Sequence, residues 1–204
     1  MKRFASLAIL LAAAVAVPAP ASTVLEVGLD RLSKSAARVV SGEILSITPE
    51  RGENGIIYSD VVLQVSRAIP QQLVGRPMKL RMVGGEMDGQ RVYVQGMPKF
   101  EVGDDVVLFL NRETSSVMGP TVGLWQGVFY LGHDKTTGQE LVLDHQRRPV
   151  LGLAADNGVM RGAEIPEGVS LKSLSLGGDR SPWGADRFFD RIRTFRASGP
   201  VAAK

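Results

Sequence analysis

The stretch from Val83 to Leu110 constrains this chain most, because glycine and proline punctuate it too closely for a long helix to cross it. Gly84-Gly85 ends one run. Gly96-Met97-Pro98 forces a turn, since proline fixes its own φ and biases the preceding residue away from helix. Phe100 follows as a candidate buried ring, and Gly103-Asp104-Asp105 reads as a hairpin corner. Residues 106–110, Val-Val-Leu-Phe-Leu, carry no polar side chain, which suits a strand buried on both faces or one closing a barrel.

The flanks read as strands leading in and out. Residues 38–48 carry β-branched side chains in near-alternation, and Gly42 among them is the expected mark of a bulge or tight bend. Asn54-Gly55 is a strong hairpin signal. Residues 56–69 then place Ile57, Val61, Leu63 and Val65 on one face, Pro70 ends the run, and 77–83 forms a third strand. A short strand is expected at 91–94. Residues 121–131 read as one strand, in which Gly123 and Gly127 beside Trp125 and Phe129 suit a strongly curved sheet, and 140–143 pairs back after a turn at 136–138. Strands this short, with turn signals this regular, predict a mainly β domain over 22–145, a barrel or sandwich.

Helical spacing of Leu25, Leu29, Leu32 and Ala36 predicts a short helix over 25–37 in front of the strands. Behind them, 146–204 reads as an irregular arm and a C-terminal amphipathic helix over 183–196. Ser181 is its expected N-cap, with Pro182 at the first helical position. Phe188, Ile192 and Phe195 give that helix an apolar face suited to capping the open end of a barrel. Arg187, Arg191, Arg193 and Arg196 give it a basic face, which an anionic membrane surface would also suit.

Residues 1–21 read as a signal peptide: Lys2 and Arg3, an apolar run over 4–17, then small residues with Ala19 and Ala21 at cleavage spacing. That run falls short of the roughly 20 apolar residues a membrane span needs. The expectation is export to the periplasm or beyond, with no integral membrane span after cleavage. The formal net charge of +3 drops once Lys2 and Arg3 are removed, so no general nucleic-acid footprint follows. The chain has no cysteine, which excludes thiolate metal sites, thiol nucleophiles and a lipidated N-terminal cysteine.

As a set, the quoted segments resemble a family of uncharacterised exported bacterial proteins. The likeness rests on Val39-Val40-Ser41-Gly42-Glu43-Ile44, Gly84-Gly85, the Gly96-Met97-Pro98-Lys99-Phe100 segment through Gly103 to Phe109 and Leu110, and Gly123-Leu124-Trp125-Gln126-Gly127-Val128-Phe129. It implies a small OB-like antiparallel β-barrel. Its shared positions (Gly42, Gly84, Gly85, Gly96, Pro98, Phe100, Gly103, Phe109, Gln126, Gly127 and Phe129) are framework residues, with no shared acid, base or ligand. Relatives that neighbour matrixin-type metalloproteases imply a secreted zinc metalloprotease as a partner, to be inhibited or assisted. The cysteine-bearing N-terminus that barrel inhibitors place on such a zinc is absent here.

Site chemistry is sparse. His133 and His145, with Asp134 and Asp144, could meet at the base of one hairpin as a two-histidine, two-carboxylate metal site, although surface turns use the same residues. Asp104-Asp105 reads as a solvated corner. No nucleophile elbow, His-Glu-x-x-His or phosphate loop occurs. The sequence therefore predicts a non-catalytic binding or interaction module without a cofactor, its ligand an unidentified protein or extracellular molecule. A metalloprotease inhibitor is the alternative, and an exported hydrolase comes third.

Overall fold

The computed structural model describes residues 25–113, 119–133, 140–163 and 181–199. The expected signal peptide, Asp134, the turn at 136–138 and residues 164–180 of the arm lie outside them. In chain order the elements are α1 (Leu29–Ser35), β1 (Arg38–Arg51), β2 (Ile57–Ile69), β3 (Pro77–Val83), β4 (Gly85–Met87), β5 (Gln90–Val92), β6 (Asp105–Leu110), β7 (Val128–His133), β8 (Glu140–Leu143), β9 (Val150–Leu153), β10 (Val159–Arg161) and α2 (Ala185–Ala197). Short 3-10 turns occupy Gln71–Leu73 and Leu124–Gly127.

The class is mainly β. One antiparallel sheet runs β3-β2-β1-β6-β7-β8, with β4-β5 and β9-β10 as separate hairpins. The barrel does not close, which corrects the expected architecture. The outer edge of β8 meets Trp183 instead of β3: Val142 N donates to Trp183 O at 2.9 Å, and Trp183 N donates to Val150 O at 2.8 Å. With that edge occupied, β3 has no strand partner on its far side among the described residues.

The β1–β2 register shifts between Ser41 and Gly42 and again between Ile44 and Ser46. Gly42 is required there because a Cβ would lie 1.8 Å from Gln64 O. Such shifts sharpen the strand twist where β1 and β2 pair.

Both faces of the sheet are apolar, which explains the unbroken run of β6. Val107 and Phe109 face one core cluster with Phe129, Leu131, Val142, Trp183, α1 and α2. Val106, Leu108 and Leu110 face the other, with Val40, Ile44, Val61, Leu63 and Leu80. Helix α2 therefore lies on a face of the sheet beside α1 rather than over a barrel end. Phe188, Phe189 and Ile192 are buried beneath it, each contributing about 1.5–3 kcal/mol. Its core mixes residues 29–142 with 150–195.

Three element boundaries differ from expectation. Helix α1 starts only at Leu29, because residues 25–27 are tied to Gln126: Val27 N donates to its Oε1 at 2.7 Å, and its Nε2 donates to Leu25 O at 3.1 Å. The strand expected at 121–131 is a 3-10 turn followed by β7. Gly123 and Leu124 adopt φ of 67° and 58°, left-handed values that stop an extended chain. Helix α2 is capped by Gly184, not Ser181, since Trp183 is already engaged in strand pairing.

Candidate functional site

The concave face of the sheet is only partly filled. Segment 93–101 crosses it as a strap, anchored at points the sequence supplies. Gly96 turns the chain with φ 87°, packed so close to the Trp125 ring that a Cβ would lie 2.6 Å from it. Met97 and Pro98 are buried. Tyr130 Oη donates to Lys99 O at 2.6 Å. Beyond the strap, Gly103 N donates to Ile44 O and Ile44 N to Asp104 O, both at 2.9 Å, stitching the corner to β1.

Between this strap and the β4–β5 hairpin opens a cleft of about 720 Å³. Ile47, Val61, Met82, Met97 and Phe100 supply its apolar surface, and Glu86, Arg91, Lys99, Glu101 and Arg147 its charged groups. A smaller recess of about 330 Å³ lies against Trp125, Val128 and His145, sharing Tyr93, Met97 and Tyr130 with the cleft. Gly84 and Gly85, with φ of 109° and 143°, let the chain leave β3 and fold back along the cleft wall.

Most polar groups in the cleft are already committed. Arg91 Nη2 donates to Glu86 Oε2 at 2.6 Å. Arg147 stacks 3.6 Å from the Tyr130 ring centroid and donates to Asp104 Oδ1 at 2.7 Å. Asp104 Oδ2 also accepts from Glu101 N at 2.8 Å. Asp104 is therefore no solvated corner, which corrects the sequence reading: its side chain is 10 % exposed and joins the strap to the turn after β8. Burial pushes the Tyr130 phenol up to about 12, so it stays a neutral donor. Burial likewise lowers the His145 pKa against the opposing pull of Asp144. Its ring sits 6.2 Å from that of Trp125.

The proposed metal set does not assemble. His133 pairs with Glu140 and Tyr130 with Leu143, so the two histidines lie toward opposite ends of the β7–β8 pair. At roughly 3.3 Å per residue this separation exceeds a shared coordination sphere. Asp144 is buried and already bound: its Oδ2 accepts from Arg148 Nε at 2.9 Å and Nη2 at 2.7 Å and lies 3.0 Å from Arg161 Nε, and its Oδ1 accepts from the N–H groups of Gln146 and Arg148. Burial opposes its charge, but these donors outweigh it and hold its carboxyl below the usual range. No cluster of three potential metal-ligating side chains occurs among the described residues. Nor is any helix there long and apolar enough to cross a membrane.

The framework motif divides in two. Gly42, Gly103, Phe109, Gln126, Gly127 and Phe129 build the sheet and its contacts, whereas Gly84, Gly85, Pro98 and Phe100 line the cleft and Gly96 the recess. Sequence reasoning missed Tyr93, Lys99, Tyr130 and Arg147, which come from separate segments. The one available signal was Tyr93 and Lys99 flanking the Gly-Met-Pro turn; Lys99 Nζ sits 4.7 Å over the Tyr93 ring.

One more feature adjoins the cleft. Gly84 N donates to Ile57 O and Val65 N to Arg76 O, so even-numbered residues of β3 turn their backbone groups toward β2. Lys79, Arg81 and Val83 therefore point theirs outward, along an unpaired edge that reaches the cleft at Val83. Comparison with protein-family models, curated proteins and solved structures returned no match, so what the protein binds has to be read from this edge and cleft.

Proposed function

We propose that the protein is an exported, non-catalytic binding module that takes an extended segment of a partner protein. The segment pairs with the outer edge of β3 and delivers an apolar side chain into the concave cleft. The observation that carries this reading is the continuity of the two: outward N–H and C=O groups at Lys79, Arg81 and Val83 run into the opening beside Met82 and Met97. Strand addition draws affinity from main-chain hydrogen bonds and selectivity from pockets for alternate side chains. Lys79 and Arg81, held by Asp60, blunt the same edge against self-association.

A Val83→Pro variant tests the proposal, because it removes an outward N–H without breaking a bond to β2. Partners captured from the secreted fraction by the parent protein should be lost by this variant while its circular dichroism is unchanged. Equal capture by both forms overturns strand addition. A matrixin-type metalloprotease, implied by the family resemblance, is the first purified partner to assay in the same pair.

A further inference from the structure

A second groove, of about 580 Å³, lies between α2 and the β9–β10 hairpin. Its volume is within the roughly 300–1,000 Å³ typical of small-ligand sites. One wall is apolar, formed by Leu151, Leu153 and Met160, none of them fully buried. The other is the stripe of α2 that carries Arg187, Asp190, Arg191 and Thr194.

Arg187 and Arg191 stand one helical turn apart, both exposed, where like charges repel. The acid between them is no counter-ion to either, because Asp190 pairs with Arg193 at 2.7 Å. Neither arginine has an acidic partner among the described residues. Instead each is stacked: the Arg187 guanidinium 4.7 Å over the Trp183 ring, that of Arg191 4.6 Å over Phe195. Stacking occupies the face of a guanidinium and leaves its edge N–H groups free for a bidentate oxyanion. Trp183 lines the same groove, and its buried Nε1 has no acceptor among the described residues. The apolar face of α2 is spent on the core, so the helix has none to lay into a bilayer. Among the described residues a bounded groove remains, cationic on one side and apolar on the other.

We infer that this groove binds a single-chain fatty-acid anion. Arg187 and Arg191 supply the cationic side for its carboxylate, and the acyl chain lies along Leu151 and Leu153. Charge complementarity fixes the head, and the size of the groove limits the tail to one chain. The site is independent of the β3 edge and its partner.

Calorimetric titration of the full chain with dodecanoate, below its micelle concentration, tests this. Saturable one-site binding is expected, weakened about tenfold or more in Arg187→Gln/Arg191→Gln, which removes charge-assisted hydrogen bonds from exposed positions. Arg191→Lys should fall between the two, keeping the charge and losing the fork. Dodecyltrimethylammonium and acetate should not bind, since each lacks one half of the ligand. Absence of saturable binding, equal binding of the cationic chain, or an unaffected double variant overturns the inference. So does loss of dodecanoate binding in Met97→Glu, which would place the chain in the concave cleft. A peptide with a leucine C-terminus that binds where dodecanoate fails would overturn the fatty-acid class.

Discussion

The two faces of the main sheet are built from the same strands and finished in opposite ways. Behind it, Phe188 sits 4.9 Å from Phe129 and 6.3 Å from Phe109, ring against ring under two helices. In front, the apolar surface continues through Leu108, Val61 and Met82 but is only bridged by a strap, so part of it stays open. Adjacent residues of β6 thus serve different ends. Phe109 is locked in dry packing, while Leu108 belongs to the cluster that underlies the cleft. The difference teaches that stability is concentrated on the helical side, leaving the concave side free to hold something else.

The strongest test of that contrast is a pair of truncations. Phe188→Ala should cost about 3–5 kcal/mol, read by chemical denaturation. Half-buried Phe100→Ala should cost only about 1–2 kcal/mol, while partner capture falls sharply. Equal losses from the two would erase the distinction between the faces.

Asp144→Ala should cost about 1.5–3 kcal/mol, because Arg148 loses a charged acceptor and the buried Nε of Arg161 loses the carboxylate 3.0 Å away. Gly42→Ala should cost about 1–3 kcal/mol by driving a methyl group into Gln64 O, and should loosen both faces together. If Gly42→Ala left the melting temperature unchanged, the close crossing of β1 and β2 would be wrong.

The smallest effect is on pH dependence. His145 has a folded pKa below its ordinary 6.5, so its contribution is complete above that value and is lost as pH falls toward the folded pKa. Asp144, also lowered, contributes above the ordinary 3.8 and is lost as pH falls through its folded pKa. Denaturation followed from pH 7 downward should therefore weaken first near 6.5 and again below 4, and His145→Asn should remove the upper step alone.

Much of the fold was legible because its signals are local. Alternation in 57–69 and 77–83, the turn at Asn54-Gly55 and the apolar run of β6 each report a short stretch of backbone. The errors arose where distant residues decided. The strand expected at 121–131 gave way to a 3-10 turn, in which Gln126 bonds to Val27 N and Leu25 O from the other end of the fold. The helix expected from 183 starts two residues later because Trp183 pairs with β8 and β9. The site was less legible still. Asp104 looked like any acid in a corner until Arg147, more than forty positions away in the chain, closed on it.

By itself the sequence determined the mainly β class, the positions of most strands, the irregularity marked by Gly42, the turn at Gly96-Met97-Pro98, and the lack of any thiol chemistry. Those follow from backbone sterics, side-chain periodicity and composition, which need no knowledge of neighbours. The tertiary structure decided whether the sheet closed, which of its apolar faces was covered, and which charges met. These depend on competition for one free strand edge, won by Trp183 at β8 and left open at β3. Periodicity within a strand cannot reveal which edge partner arrives.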